Sequence, residues 1–180
     1  MLYEEKVIRI KGGQAVLRNP KAEDAKEMLG YLVSTAGETE YLIRCPEEIN
    51  MTIEQEERFL TGVLQSPDDL MIVCEVDGKI AGNCSLSFMN KIKMRHRCNI
   101  GIALLKDYWN RGIGTQMFIE MEKIARERGV RQMELEVLEG NERAIHLYEK
   151  MGFRFVGERP DAFRMPDGRL LKEYFMQKLL

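Results

Sequence analysis

The spacing of apolar positions changes period repeatedly along the 180 residues, and each change predicts an element. Val7–Ile10 and Ala15–Arg18 alternate on either side of Gly12-Gly13, the pattern of a short hairpin. From Ala22 to about Thr35 the apolar residues Ala25, Met28, Leu29, Leu32 and Val33 fall on one side of a helix. Residues 36–52 lose that period and read as irregular and acidic, with Glu38, Glu40, Glu47 and Glu48. Thr52 is a helix cap, and the helix it opens runs to about Leu64 with Glu54 and Glu56 in its first turn. Leu70–Val76 and Lys79–Phe88 flank Asp77-Gly78, a strong hairpin signal. Then come a strand at Arg97–Leu104, a helix at Ile113–Arg128, a strand at Gln132–Val137 and a helix at Asn141–Met151. A strand at Phe153–Glu158 follows, and Pro166-Asp167-Gly168 turns into a last strand, Glu173–Leu179. With neither repeat nor linker, the pattern predicts one domain over residues 1–180. Its class is α/β, a mixed and mostly antiparallel sheet around a central β–α–β–α–β run.

The junction between the Arg97–Leu104 strand and the next helix carries the first chemical signal. It reads Trp109-Asn110-Arg111-Gly112-Ile113-Gly114-Thr115. A glycine-bearing turn into a helix start is an anion site made of backbone, because the first N–H groups of a helix lack partners and face the positive end of its dipole. Glycine lets a phosphate approach where a Cβ would clash. A pyrophosphate fits, with Arg111 as an added cation. No Lys-Ser/Thr pair follows the glycines, as a nucleoside triphosphate loop requires. A dinucleotide fingerprint would place a third glycine where Met117 stands, in a first βαβ unit rather than past mid-chain.

A second segment, Asn141-Glu142-Arg143-Ala144-Ile145-His146-Leu147-Tyr148-Glu149-Lys150-Met151-Gly152-Phe153, supplies the context. Asn141 caps a helix that Gly152 ends, and Ala144, Leu147, Tyr148 and Met151 share a face. The two motifs, in this order and with this separation, resemble the GNAT superfamily of acyl-CoA-dependent N-acetyltransferases. The resemblance runs from about Met71 to Val156. It implies the GNAT-like acyl-CoA N-acyltransferase fold, a largely antiparallel twisted sheet flanked by helices. It further implies that Asn110, Arg111, Gly112, Ile113, Gly114 and Thr115 bind the pyrophosphate of coenzyme A. Backbone groups of Ile102 and Leu104 would hold pantetheine, with Gly101 easing a strand bulge, and Asn141, Ala144 and Tyr148 would complete the cofactor site. Trp109 stands where the family has Gln or Arg; an indole there is expected to pack the loop.

Composition narrows the surroundings. The chain is 44% hydrophobic and 31% charged with a net charge of −2, ordinary for a globule and unlike a general nucleic-acid binder. No apolar stretch approaches a membrane span, and Met1-Leu2-Tyr3-Glu4-Glu5-Lys6 places acids where a signal peptide is basic. The expectation is a cytoplasmic protein without nucleic-acid or membrane partners, with a homodimer left open. Cys45, Cys74, Cys84 and Cys98 show no metal-ligand spacing and no disulfide framework, so they read as free thiols in apolar strands and no metal is expected.

The implied reaction moves an acetyl group from acetyl-CoA, as co-substrate, to a primary amine of a small molecule or a peptide by direct attack in a ternary complex. The ammonium must lose a proton before it attacks, the oxyanion needs preformed N–H donors, and the leaving thiolate needs a proton or hydrogen bond. Tyr148 suits the last task as general acid. For the base, the residues leave three candidates: His96, Glu38 and Glu40. The position at which some relatives carry a glutamate is Cys98 here. Two features bear on the acceptor. The acidic segment 38–48 suits a cation, and the basic run 91–97 suits an acid or is a solvated hairpin tip. A domain that binds acyl-CoA as a sensor, without catalysis, is the alternative from another class.

Overall fold

Strand and helix boundaries in a computed structural model, which describes residues 1–180, follow the apolar periods closely. Two compact units are built from the chain, Met1–Ser87 with Gly101–Ile119, and Phe88–Ile100 with Glu120–Leu180.

In the first, β1 (Lys6–Ile10), β2 (Gly13–Arg18), β3 (Asp69–Val76) and β4 (Lys79–Phe88) pair antiparallel in chain order. Two helices, α1 (Ala25–Glu38) and α2 (Ile53–Gln65), lie between β2 and β3 in the chain. Their apolar stripes meet over a buried cluster of Ala25, Met28, Tyr31, Leu60, Val73 and Ile80, with Leu32, Met71 and Leu105 packed against it. Thr52 caps α2 as expected. Its hydroxyl accepts from Gln55 N–H, and the Gln55 side chain accepts from Thr52 N–H. A charged knot fixes β2 to the start of α1, since Arg18 donates to both Asp24 oxygens (2.6 and 3.0 Å) and to Glu75 (2.9 Å).

The second unit contains the start of β5 (Arg97–Leu104), the end of α3 (Ile113–Glu127), β6 (Gln132–Leu138), α4 (Glu142–Lys150), β7 (Arg154–Arg164) and β8 (Leu170–Leu179). β5 and β6 are parallel, as a helical crossover dictates. β6 then pairs antiparallel with β8, and β8 with β7. The central β–α–β–α–β run therefore does not make three adjacent parallel strands. The last strand enters between β6 and β7.

Other departures are local. The helix expected from Ala22 begins as a 3₁₀ turn, Ala22–Asp24, and α1 continues to Glu38, into the segment expected to be irregular. A 3₁₀ turn at Pro46–Glu48 is the other ordered piece of 36–52. β7 runs to Arg164 and β8 starts at Leu170, both longer than expected. Cys74, Cys84 and Cys98 are buried in strands, but Cys45 is exposed and precedes the 3₁₀ turn. No helix is long and apolar enough to cross a membrane.

Candidate active site

The loop between β5 and α3 has the backbone of an anion cradle. Asn110 and Gly112 both take the left-handed conformation (φ 59° and 86°), flanking Arg111. Such alternation turns successive N–H groups to one side. The first helical bond returns from Gln116 N–H to the Gly112 carbonyl, so the N–H groups of Ile113, Gly114 and Thr115 begin the helix with no carbonyl behind them. Gly112 is exposed and Ile113 and Gly114 are buried, which anchors the helix start while its mouth stays open. The loop is held from three sides. Lys11 N–H donates to the Arg111 carbonyl at 2.9 Å. The Arg111 guanidinium lies 5.1 Å from the Tyr108 ring centre. The Trp109 indole N–H donates to the Leu104 carbonyl at 2.8 Å, so the tryptophan packs the loop as its chemistry suggested.

β5 delivers the strand edge that leads into this loop. Its ladder with β6 covers Arg97–Asn99, although β5 runs on to Leu104. The backbone of Ile102 and Leu104 is thus not committed to β6, and a ligand amide can pair with it as a strand would. On its other side this end of β5 is clamped. Leu105 N–H donates to the Ala81 carbonyl at 3.0 Å. The Tyr31 phenol, reaching from α1, donates toward the Ala103 carbonyl (2.9 Å) and the Asn83 side-chain oxygen (2.8 Å). Gly82 is required by this approach, because a Cβ there would stand 2.2 Å from Leu104 Cδ2 and 2.7 Å from the Ala103 carbonyl oxygen. A Cβ at Gly101 would meet only the Ser85 hydroxyl, at 3.2 Å.

Asn141 caps α4 with its side-chain oxygen, which accepts from Ala144 N–H at 3.3 Å. Ile145 and Tyr148 are the buried residues of this helix, Ala144 and Leu147 are half-buried, and His146 is exposed on the other side. Gly152 (φ 89°) ends it, with Phe153 N–H donating back to the Tyr148 carbonyl. The Phe153 ring is 6.4 Å from that of Tyr148. Burial pushes the Tyr148 phenol up to about 12, so it is held as a proton-bearing donor.

The three base candidates part company. Glu38, the last residue of α1, accepts Lys106 N–H at 2.7 Å just beyond β5, which brings it to the end of the strand that carries Ile102 and Leu104. Glu40 is exposed in the connection to α2. His96 is exposed before β5, where its main-chain carbonyl accepts Arg131 and Gln132 N–H. Cys98 is fully buried, and burial, then the Glu134 charge, pushes its thiol up to about 12. A thiol so held is no nucleophile at neutral pH.

One residue was missed. Glu56 on α2 is 1% exposed, and neither carboxylate oxygen has a hydrogen-bond partner. Burial raises its pKa, against which the Arg44 charge acts. The available signal was its place four residues before Leu60, on the helix's apolar face.

Comparison with known proteins places this geometry. Residues 37–153 match the model of the acetyltransferase (GNAT) family. An uncharacterized N-acetyltransferase of Methanocaldococcus jannaschii is 34% identical over 94 residues, a match that spans 51% of this chain and 42% of that protein. A GNAT-family acetyltransferase of Streptococcus pneumoniae superposes with a TM-score of 0.85 at 29% identity, covering 92% of this chain and 99% of that one. The fold is shared by yncA of Salmonella typhimurium, solved with its cofactor acetyl-CoA, with a TM-score of 0.77 at 17% identity and coverage of 92% and 94%. With its loop, its open strand edge and its Asn141–Tyr148 helix accounted for, the chain belongs to the GNAT family of acetyltransferases.

Proposed function

We propose that this chain transfers an acetyl group from acetyl-CoA to a primary amine by direct attack in a ternary complex, in the cytoplasm. The observation that carries the reading is the loop 109–115, with left-handed Asn110 and Gly112 and the unpartnered N–H groups of Ile113, Gly114 and Thr115. In this reading those groups hold the pyrophosphate, and the part of β5 at Ile102 and Leu104, beyond the β6 ladder, pairs with pantetheine. Asn141 and Ala144 set the helix that carries Tyr148.

The chemistry follows from the acidities. The attacking nitrogen adds to the thioester carbonyl, the C–S bond breaks, and sulfur leaves as thiolate while nitrogen sheds its extra proton. A thiol has a pKa near 8.5, whereas Tyr148 is pushed up to about 12. Full proton transfer from phenol to thiolate is therefore uphill. Tyr148 acts as hydrogen-bond donor to the developing thiolate, and the proton that neutralises sulfur comes from the nitrogen of the adduct. Glu38 is the base candidate best placed for the first deprotonation, since its carboxylate sits at the end of β5.

The test is acetyl-CoA-dependent thiol release across a panel of primary amines, beside calorimetric titration with acetyl-CoA and with NAD as control. Selective binding of acetyl-CoA with amine-dependent release of thiol supports the reading. Binding without release by any amine would favour the sensor. Absence of acetyl-CoA binding would sink both.

A further inference from the structure

Leu104, the last residue of β5, is flanked by two peptides whose held atoms set the direction of a donor between them. Two of those atoms face β4. The Ala103 carbonyl accepts from the Tyr31 phenol at 2.9 Å, and its oxygen lies 2.7 Å from where a Cβ of Gly82 would stand. Leu105 N–H donates to the Ala81 carbonyl at 3.0 Å. A trans peptide is planar, with its C=O and N–H antiparallel. The other halves of these peptides, the N–H and the carbonyl of Leu104, therefore point away from β4. The Trp109 indole N–H donates to that carbonyl at 2.8 Å. The Leu104 N–H faces the edge that the β6 ladder, which stops at Asn99, does not reach.

The group on the Ala103 carbonyl is a side chain from α1. Tyr31 is 4% exposed, and its ring packs in the cluster that holds Met28 and Leu60. Its hydroxyl also meets the Asn83 side-chain oxygen at 2.8 Å. One proton serves both oxygens, and a half-turn of the Asn83 amide exchanges its acceptor for an N–H donor, which leaves the proton to Ala103. Burial pushes the phenol above its usual value, so the proton stays on it. A phenylalanine would fill the same space with no polar atom to satisfy. What the hydroxyl adds is electrostatic. A hydrogen bond to a carbonyl polarises its peptide and strengthens the N–H at the other end. All of these groups lie in the first unit.

We propose that Tyr31 is a positioning residue for the cofactor: through the Ala103–Leu104 peptide it presents the Leu104 N–H to an amide carbonyl of the pantetheine arm. This deepens the acetyltransferase reading and rests on it. The loop 109–115 and the strand edge are then separate halves of the cofactor site. The loop holds the diphosphate, and Tyr31 acts on the arm alone. Glu38, two turns along α1 from Tyr31, accepts Lys106 N–H at 2.7 Å, so the same helix holds the strand end at a second point.

The test separates the arm from the nucleotide. Tyr31→Phe keeps the ring and loses the hydroxyl. Its affinities are measured by calorimetry for coenzyme A and acetyl-CoA, and by competition for 3′-phospho-ADP, the nucleotide half that carries the diphosphate and lacks pantetheine. Coenzyme A and acetyl-CoA are expected to weaken about 3- to 10-fold, the worth of one hydrogen bond. 3′-phospho-ADP is expected to bind as it does to the wild type, and KM for acetyl-CoA to rise while kcat stays within a few-fold. Leu60→Val, which loosens the same helix pair and leaves the phenol in place, is the control. Its thermal midpoint falls, and its ratio of coenzyme A to 3′-phospho-ADP affinity holds. Unchanged coenzyme A affinity in Tyr31→Phe, a loss shared equally by 3′-phospho-ADP, or an equal shift of the ratio in Leu60→Val overturns the proposal. So does a wild type with which 3′-phospho-ADP does not compete, because the two halves are then not separate. Failure of the wild type to bind acetyl-CoA would instead refute the acetyltransferase reading beneath it.

Discussion

At the scale of single residues, two positions separate structure from chemistry. Tyr148→Phe removes only a hydroxyl from a buried ring, so acetyl-CoA should bind within about 3-fold of wild type while kcat falls about 10- to 100-fold. Pre-steady-state and steady-state thiol release with one amine would show it. Because burial holds the phenol up to about 12, no descending limb from Tyr148 is expected in the pH–rate profile below about pH 11. Gly112→Ala asks a Cβ to adopt φ 86°, which costs about 1–2 kcal/mol and tilts the first N–H groups of α3. A drop in both urea midpoint and acetyl-CoA affinity is expected, and affinity should fall further than stability explains. The residues on which the proposed site rests are those whose role is conformational or lies at a helix end. Gly112, Gly114, Asn141 and Gly152 are legible because few residue types do what they do. Glu56 was not, because Glu54, Glu56 and Glu57 together look like the solvated first turn of any helix.

At the scale of elements, the clamp on the end of β5 is the most informative device. Gly82 of β4 admits Leu104 where a Cβ would stand 2.2 Å from its Cδ2. Gly82→Ala should therefore cost about 1–3 kcal/mol by overpacking and also weaken acetyl-CoA, because Leu104 must shift. Trp109→Phe should leave packing largely intact yet free the Leu104 carbonyl that the indole N–H now holds. A loss in acetyl-CoA affinity several-fold larger than for a distant surface control, with little change in melting point, would mark the indole as organiser of the loop. β4, β5, α3 and the Thr52 cap were legible, since alternation, a helical apolar period after the glycine turn, or a cap with its N3 partner defined each. The sequence stopped short on β7, whose second half beyond Glu158 was not expected; the strand reads Arg-Phe-Val-Gly-Glu-Arg-Pro-Asp-Ala-Phe-Arg and is almost wholly exposed. An edge strand needs no apolar alternation, tolerates Pro160, and bends at the register shift between Arg159 and Phe163 where Asp161 turns left-handed. The topology was hidden for a related reason. Nothing in the local period of β8 says that it pairs with β6 as well as β7.

At the scale of the whole molecule, two carboxylates, the half-buried Asp24 and the buried Glu56, pull stability in opposite directions with pH. Burial alone would raise the pKa of Asp24, but hydrogen bonds from Arg18 and from Lys21 N–H hold it below the usual carboxylate range. A carboxylate depressed on folding contributes stability that is present above its unfolded value, about 3.9, and lost as pH falls through the lower folded value. Asp24→Asn should accordingly cost about 2 kcal/mol near pH 7, since it leaves the buried Arg18 short of a partner. The deficit should shrink below pH 4. Glu56 carries the opposite sign. Burial raises it, so the neutral form is favoured by the fold, and stability is lost as pH rises through the raised value. Urea midpoints from about pH 2.5 to 8 should show Asp24→Asn falling behind wild type as pH rises through the acid end, and Glu56→Gln gaining on it as pH rises above the usual carboxylate range. The two slopes are separable because Asp24 sits in the Arg18–Glu75 knot on β2 and β3, and Glu56 on α2 with Arg44 as its named counter-charge. If Glu56→Gln tracks wild type at every pH, the carboxylate is as well accommodated as an amide. A gain at neutral pH is what a buried, unpaired carboxylate produces, because the amide that replaces it carries no charge for the fold to desolvate.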